Sequence, residues 1–286
     1  MARADIEYLM VQDVRLWPLT RYGLPLGWLG ERLSHDPATG EATYLVHMRP
    51  QWRLPTPSIV ECGLEILILA GSCQFGATEL SRGHYGRVNP GGALGPAGSD
   101  EGCTFLLMTD RSFRWSEQRE SRRWTVENAL SLPWQPAPDF EGRSAAQTPA
   151  GVFVKWLRED SQSGAYTLIT RQPGGWSDPK LEAHRCWEEL LLLDGDYLMG
   201  VNGAVAAGCY IFRNGEIPHG PQASRTGAIW FCRGNARIDF QYSSVPWAQP
   251  QIDRYLETAH TASPIVRGPA PWGSWQSPDI KDLDKE

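Results

Sequence analysis

The stretch Leu181–Gly195, LEAHRCWEELLLLDG, carries the pattern from which the fold of this chain is predicted. Side chains that can bind a metal occupy every second position of its first half: Glu182, His184, Cys186 and Glu188. Residues two apart on a β-strand point to the same face, so the spacing predicts one row of donors on a single strand. The apolar run Leu190–Leu193 and the turn pair Asp194-Gly195 predict that this strand is buried and ends in a hairpin.

A further histidine follows about two dozen residues along the chain. The segment Gly208–Gly220, GCYIFRNGEIPHG, carries His219 near its end. A neighbouring strand could bring this imidazole to the row of donors. The two stretches together predict a metal site inside a small β-barrel.

The composition favours an all-β protein. The chain has 286 residues, with 29 Gly, 22 Pro and 13 Trp, and shows few long helical periods. Many turns and many aromatic residues are typical of strands joined by loops. The length suits one large domain or two of ordinary size.

Charge and hydropathy exclude several classes of partner. The net charge is −6, and no block of Lys and Arg is long enough to suggest binding to nucleic acid or an anionic membrane. No apolar run approaches the roughly 20 residues that cross a bilayer. The six cysteines show no CxxC spacing, which indicates reduced, buried thiols. We therefore expect a cytoplasmic protein.

The sequence contains an internal repeat. Trp52–Gly71 aligns with Trp176–Gly195 without a gap at an offset of 124 residues, and Gly83–Gly102 aligns with Gly208–Gly227 at an offset of 125. Identical residues include Trp52 and Trp176, Cys62 and Cys186, Glu65 and Glu189, Tyr85 and Tyr210. This repeat predicts two homologous domains, which we place at residues 1–120 and 121–286.

Each predicted domain also has an earlier strand pair. Trp28-Leu29 leads through a loop with Gly40 to Tyr44–Met48, and Trp156-Leu157 leads through a loop with Gly164 to Tyr166–Arg171. The best helix candidate is Gln251–His260, an amphipathic stretch after Pro250.

In these residues the chain resembles the cupin superfamily, whose fold is the double-stranded β-helix or jelly roll. The first cupin motif is G-x5-H-x-H-x3,4-E-x6-G, and His184, Glu188 and Gly195 fit its later part. The second motif is G-x5-P-x-G-x2-H-x3-N, and Gly208 and His219 fit its spacing. The resemblance spans both halves and implies two tandem cupin domains with a short C-terminal helix. The overall pattern is also similar to anti-sigma-factor cupin-like proteins, several of which bind zinc.

The resemblance implies that His184, Glu188 and His219 are metal ligands. Glu182 stands where the family has its first histidine, and two readings remain open for it. It either completes the ligand set, or it hydrogen-bonds a metal-bound water or turns to solvent. Two imidazoles and two carboxylates would neutralise one divalent ion, which suits Zn, Fe or Mn.

Four further residues are candidates for the wall of a substrate pocket: Cys186, Tyr210, Phe212 and Trp230. Cys186 and Tyr210 recur as Cys62 and Tyr85 in the first copy, which argues for packing instead. At the positions of Glu182, His184, Glu188 and His219 the first copy has Ser58, Val60, Leu64 and Leu94. We therefore expect the N-terminal domain to be structural, or at most an apolar binding cup.

Two functions fit these expectations. The first is a metal-dependent cupin enzyme of dioxygenase, isomerase or lyase type, acting on a small oxygenated molecule at the C-terminal barrel. The second is a binding or sensor protein that holds metal or a small molecule without turnover. A purely structural role is the third reading. The expected partner is a small molecule, and the sequence leaves a homodimer open.

Overall fold

A computed structural model describes residues 3–117, 122–139, 151–257 and 272–275. The described chain is mostly β-strand, with curled sheets and one short helix towards its C-terminus, so the all-β prediction is confirmed. It divides into two compact units. Unit 1 comprises Met1–Ala4 and Asp13–Leu132, and unit 2 comprises Asp5–Gln12 and Pro133–Glu286.

Strand β1 (Ile6–Met10) belongs to unit 2, whereas the next eleven strands build unit 1. The unit 1 strands are β2 (Trp17–Pro18), β3 (Trp28–His35), β4 (Ala42–Met48), β5 (Trp52–Val60), β6 (Leu64–Phe75), β7 (Thr78–Ser81), β8 (His84–Val88), β9 (Gly92–Ser99), β10 (Cys103–Thr109), β11 (Trp115–Ser116) and β12 (Thr125–Asn128). They form one sheet with the main order β11-β5-β9-β6-β10-β4-β3-β2. Because β12 pairs with β8, the first unit extends beyond the predicted division after residue 120.

The remaining strands complete unit 2. They are β13 (Gln135–Pro136), β14 (Phe153–Glu159), β15 (Tyr166–Gln172), β16 (Ser177–Asp178), β17 (Lys180–Ala183), β18 (Glu188–Met199), β19 (Ala204–Ala206), β20 (Cys209–Arg213), β21 (Gln222–Ala223), β22 (Ala228–Gly234) and β23 (Gln241–Ser244). The main sheet order is β1-β20-β18-β22-β15-β14-β13, and β17 pairs with β23 in a separate two-stranded sheet.

The predicted hairpin at Asp194-Gly195 is wrong, because β18 continues through it to Met199. The strand has a bulge at this point, where the pairing with β22 skips Leu193. Gly195 has φ +85°, and a Cβ atom there would overlap the Gly227 carbonyl oxygen, so the position requires glycine. The bulge bends β18, whose first half pairs with β20 and whose second half pairs with β19.

The two early strand pairs are confirmed. β3 pairs antiparallel with β4, and β14 pairs antiparallel with β15. The helix, α1, spans Ala248–Glu257 and therefore begins before Pro250 rather than after it. Proline is tolerated there because the first turn of a helix uses no backbone N–H. Residues 258–260 of the predicted helix lie outside the described residues.

All six cysteines are buried and outside disulfides. In the described part of the chain, no helix combines the length and hydropathy that a membrane span needs.

Candidate metal centre

Glu182 and His219 lie opposite each other in a short antiparallel bridge. The Glu182 backbone N–H donates to the His219 carbonyl oxygen at 2.9 Å, and the reverse bond has the same length. Directly paired residues carry their side chains on the same face. Glu182 Oε1 consequently lies 3.2 Å from His219 Nε2.

The chain bends after β17, so the donors do not form the single row that their spacing predicts. Residues 184–187 lie outside any strand, and Glu188 is the first residue of β18. Asp239 accepts hydrogen bonds from the backbone N–H and the guanidinium of Arg185, at 2.9 and 2.6 Å, and fixes this bend. Alternation applies only to an extended chain, which explains why the prediction of one strand fails.

Both histidines bind a backbone carbonyl through Nδ1. His184 Nδ1 lies 2.9 Å from the Cys186 carbonyl oxygen, and His219 Nδ1 lies 2.9 Å from that of Ile217. This partner assigns the proton to Nδ1 and leaves the Nε2 lone pair available. Both Nε2 atoms are buried and make no hydrogen bond of good geometry, although Glu182 Oε1 lies 3.2 Å from that of His219. This arrangement is typical of histidines that bind a metal through Nε2.

The three donors His184, Glu188 and His219 converge on one point. Their ligand atoms all lie within 4.8 Å of one another, and no other such trio occurs among the residues that the structure describes. Glu188 Oε2 is 3.8 Å from each Nε2 atom. Neighbouring ligands around an ion bound at about 2.1 Å lie roughly 3 to 3.5 Å apart. The donor set therefore fits a divalent metal after a small contraction.

The charges at the centre favour a cation beside Glu188. Burial alone would raise the pKa of Glu188, but the two histidines and Arg213 lower it to about 2. Burial alone would lower the pKa of His184, but its contacts with Cys186 and Glu188 raise it to about 11. The negative charge of Glu188 can be balanced either by a protonated His184 or by a metal ion.

Glu182 is adjacent to the three donors and is held by a different neighbour. Gln222 Nε2 donates to Glu182 Oε1 at 2.7 Å, and the Tyr197 hydroxyl donates to Gln222 Oε1 at 2.6 Å. Glu182 is therefore a carboxylate oriented next to His219 through a chain of hydrogen bonds. This geometry favours the role in which it binds a metal-bound water.

A cavity of about 130 Å³ opens beside these residues, entirely within unit 2. Its polar wall comprises Thr170, Gln172, Glu182, Glu188, Arg213, His219 and Gln222. Its apolar and aromatic wall comprises Ala137, Val152, Val154, Tyr166, Leu168, Trp176, Leu190, Tyr197, Met199, Trp230, Cys232, Ile238 and Phe240. A mainly apolar wall with a few polar groups is typical of sites that orient a small ligand.

Of the four residues predicted for the pocket wall, Trp230 lines the cavity and packs edge-on against Tyr197 at a centroid distance of 5.2 Å. Cys186 does not line it. Its carbonyl oxygen and its Sγ, at 2.9 and 3.4 Å, both face His184 Nδ1. Cys186 thus supports a candidate ligand from behind the cavity.

Tyr210 and Phe212 face away from the cavity. Alternate residues of β20 point to opposite sides of the sheet, and Arg213 is on the cavity side. The Tyr210 hydroxyl donates to Glu189, and Phe212 packs on Trp187 at a centroid distance of 5.6 Å. The prediction that these two side chains form the pocket wall is corrected accordingly.

The sequence analysis did not identify several residues of the cavity wall that carry polar groups. Three of them, Tyr197, Gln222 and Arg213, have the counterparts Cys73, Ala97 and Val88 at the repeat offsets. A systematic search for positions that are polar in the second copy and smaller or apolar in the first would have found them.

In unit 1 the positions that correspond to His184, Glu188 and His219 are apolar. Val60, Leu64 and Leu94 are fully buried in its hydrophobic core, together with the aromatic residues Trp28 and Phe105. Leucine and valine offer no lone pair to a metal. The unit 1 interior is therefore packed as a core around these positions.

The sequence of this chain matches one family model. A family model described as "Domain of unknown function (DUF4437)" matches residues 9–241. A search of curated proteins gives no match.

Solved structures share the fold at low identity. A "putative dioxygenase" from Nostoc punctiforme aligns with a TM-score of 0.69 at 16% identity, over 85% of this chain and 87% of that one. A point mutant of Bacillus subtilis oxalate decarboxylase aligns at 0.51 and 9%, over 85% and 80%. A point mutant of salicylate 1,2-dioxygenase from Pseudoaminobacter salicylatoxidans, in complex with gentisate, aligns at 0.51 and 8%, over 81% and 86%. These are cupin-type proteins, so the chain has the cupin fold.

Proposed function

We propose a function on the premise that this chain belongs to the family described as a domain of unknown function, DUF4437. The chain is a metal-dependent cupin enzyme of dioxygenase, isomerase or lyase type. It acts on a small oxygenated organic molecule in the unit 2 cavity, with one divalent ion of Zn, Fe or Mn. His184, Glu188 and His219 hold the ion, and Glu182 assists them.

The two units are tandem copies of one domain. Both long central strands carry a bulge, at Leu69 in β6 and at Leu193 in β18. Gly71 and Gly195, two residues later, both have positive φ. A buried Tyr–Glu hydrogen bond recurs in each unit, from Tyr85 to Glu65 and from Tyr210 to Glu189. These matches at the repeat offsets support the two-cupin interpretation.

One observation carries the enzymatic proposal: the buried Nε2 atoms of two histidines converge with a largely buried carboxylate beside a mainly apolar cavity. A bound divalent ion would supply Lewis acidity towards an oxygen of the substrate. The aromatic wall of Trp230, Tyr197 and Trp176 would exclude water from the reacting molecule.

Glu182 is the residue we assign to proton transfer. Gln222 fixes one of its oxygens, and the carboxylate faces the cavity next to His219. A carboxylate held in this way can accept a proton from a substrate or water and return it. The names of the Nostoc, Bacillus and Pseudoaminobacter structures are consistent with oxygenase or lyase chemistry on small oxygenated molecules.

The first test is elemental analysis of the purified protein beside a His184→Ala/His219→Ala variant. We expect about one equivalent of divalent metal per chain, lost in the variant. The matched control is His47→Ala, because His47 belongs to unit 1 and its ring binds Thr104 at 2.9 Å. This control variant should retain the metal.

The identity of the metal then directs the activity assays. Iron or manganese leads to oxygen-consumption assays on diketones and catechol-like compounds, and zinc leads to isomerase and lyase assays. No metal in the wild type, even after reconstitution with each ion, contradicts the proposal.

A binding or sensor role is the second candidate, and the similarity to anti-sigma-factor cupin-like proteins belongs with it. The observation that favours it is the small volume and mainly apolar wall of the cavity, which suits retention of a ligand. A metal-loaded protein that binds small oxygenated molecules without converting them would support this role. A cytoplasmic location and a homodimer stay predictions.

A further inference from the structure

Arg213 places a positive charge in the interior of unit 2. It is the last residue of β20 and lies directly opposite Glu188 of β18 in the strand pairing. Its side chain is 2% exposed and lines the cavity. On the same face of β20, Cys209 and Ile211 belong to the hydrophobic core. An arginine at such a position requires a specific reason, because burial of a guanidinium is costly.

Two nitrogens of this guanidinium make no hydrogen bond. Nε and Nη1 are both buried without a partner. The closest carboxylates are Glu188, 3.8 Å from Nη1, and Glu7, 3.9 Å from Nε, both beyond hydrogen-bond distance. Glu7 is also half exposed and accepts a bond from Asn202 at 2.6 Å. Buried donors of this kind are normally satisfied, which points to a missing acceptor.

Neutralising Glu188 does not account for Arg213 once a metal is bound. A divalent ion and Arg213 contribute three positive charges, while Glu182 and Glu188 contribute two negative ones. The centre then keeps one excess positive charge in a largely apolar wall, and Glu7 is too exposed to compensate it fully. In unit 1 the corresponding cross-strand pair is Leu64–Val88, so the arginine is absent where the donors are absent.

We infer that Arg213 binds the carboxylate of the substrate, and that the substrates are small organic carboxylates. A guanidinium presents a planar fork of donors that matches a carboxylate. The volume of about 130 Å³ is near that of the 150 Å³ engineered cavity that binds benzene, so a ligand of about six non-hydrogen atoms fits. This inference deepens the proposed function and rests on it for the role of the metal.

The test compares two probes of the same shape, pyruvate and pyruvamide, by titration calorimetry on zinc-loaded protein. They differ in one carboxylate oxygen replaced by an amide nitrogen, which removes the negative charge. We expect wild type to bind pyruvate at least about tenfold more tightly. In Arg213→Met, pyruvate affinity should fall by about 10- to 100-fold, with little change for pyruvamide, because charge-assisted hydrogen bonds are lost.

Two further variants control this comparison. Arg254→Met removes an exposed positive charge from α1 and should leave pyruvate binding unchanged. Arg213→Lys keeps the charge but lacks the fork, so it should recover only part of the affinity. Elemental analysis and circular dichroism show whether Arg213→Met keeps its metal and its fold. If it loses either, the pyruvate affinity of Arg213→Lys is the measurement that tests the inference.

Failure of this inference differs from failure of the proposed function. If wild type retains metal but shows no preference for pyruvate, or if Arg213→Met and Arg213→Lys both bind pyruvate like wild type, the carboxylate anchor is wrong and the metal centre stands. If wild type holds no metal, the enzymatic proposal fails. In that case the inference still requires metal-free wild type to bind pyruvate more tightly than metal-free Arg213→Met does. Equal affinities of the two proteins overturn the inference.

Discussion

The Nδ1 atoms of His184 and His219 both lie against backbone carbonyl oxygens, which orient the two rings. Each Nδ1 atom lies 2.9 Å from the carbonyl oxygen of a residue only two positions away. The local fold of the chain therefore fixes each imidazole before any ligand binds. A metal that binds at Nε2 would meet rings that need little reorganisation.

Glu188 and Glu182 should differ in their effect on metal affinity. Glu188→Gln replaces the single anionic donor of the trio by a neutral amide, so we expect zinc affinity to fall by more than about 100-fold. Glu182→Gln removes only the charge of a neighbouring group held by Gln222, and second-sphere changes cost about 10- to 100-fold. Competition with a chromophoric chelator measures both values.

Glu79→Gln, at an exposed position of strand β7 in unit 1, is the control for this comparison and should not change zinc affinity. An equal loss in the Glu182 and Glu188 variants would instead make Glu182 a direct ligand. That result would restore the four-donor reading of the sequence.

At this scale the sequence identifies the donor types but not their surroundings. His184, Glu188 and His219 have the spacing of the cupin motifs, which can be recognised in the sequence without a structure. Arg213 and Gln222 reach the cavity only because β20 and β21 pair with β18. Such long-range pairings are not encoded in local periodicity, so these two residues could not be assigned from spacing.

Among the elements, β18 does the most to position the centre. Its first residue carries a candidate ligand, and its bulge at Leu193 redirects the second half of the strand. Residue alternation predicts a strand here, and Asp194-Gly195 predicts a turn. The structure uses the same glycine for a bulge, because sheet curvature and not the local turn preference decides the path of the chain.

Asp196, just after the bulge, ties β18 to the loop before β22 and to α1. It accepts bonds from the Ser224 hydroxyl at 3.1 Å and from the Arg225 backbone N–H and guanidinium at 2.9 and 3.0 Å. The Arg225 guanidinium also stacks over the ring of Tyr255 in α1, at 4.6 Å. We expect Asp196→Asn to lower the free energy of unfolding by about 3 kcal/mol at pH 7, because it breaks a buried ion pair.

This loss should depend on pH in a defined direction. Burial would raise the pKa of Asp196, but bonds from Thr226, Arg225 and Ser224 lower it. A lowered folded-state pKa gives stability that is complete above the unfolded value of about 3.9 and disappears as the pH falls through the folded-state value. Denaturant titrations of wild type and variant from pH 7 to pH 2.5 should therefore converge in acid. A difference that stays constant down to pH 2.5 would contradict the ion-pair explanation.

Across the whole molecule, the two units fill similar interiors with different chemistry. Unit 1 has apolar side chains such as Leu64 and Val88 where unit 2 has Glu188 and Arg213. Burial of Leu64 and Val88 stabilises unit 1 and desolvates no charge. Burial of Glu188 and Arg213 has a desolvation cost that a bound ligand or ion would offset. The interior of unit 2 thus holds charged side chains at positions where the interior of unit 1 is apolar.

The cysteines of both units should resist modification in the native protein. All six are buried, and burial raises the pKa of Cys62 in unit 1 and of Cys209 in unit 2 to about 12. Only the thiolate reacts readily, so we expect fewer than about one thiol per chain to react with a disulfide reagent at pH 8 within minutes. All six should react in guanidinium chloride. Rapid reaction of a native thiol would show that its unit opens.

The pairing of β1 with β20 has a consequence for synthesis on the ribosome. Ile6–Met10 is translated before Asp13–Leu132, the main segment of unit 1, but its partner strand Cys209–Arg213 emerges only after that segment. About 200 residues separate the two strands, which corresponds to roughly 10 to 40 s of elongation at about 5 to 20 residues per second. During that time the β1 segment must wait unpaired while the chain behind it folds. The unit that carries the donors thus begins with a piece of nascent chain that cannot take its place until the strand ending in Arg213 has left the exit tunnel.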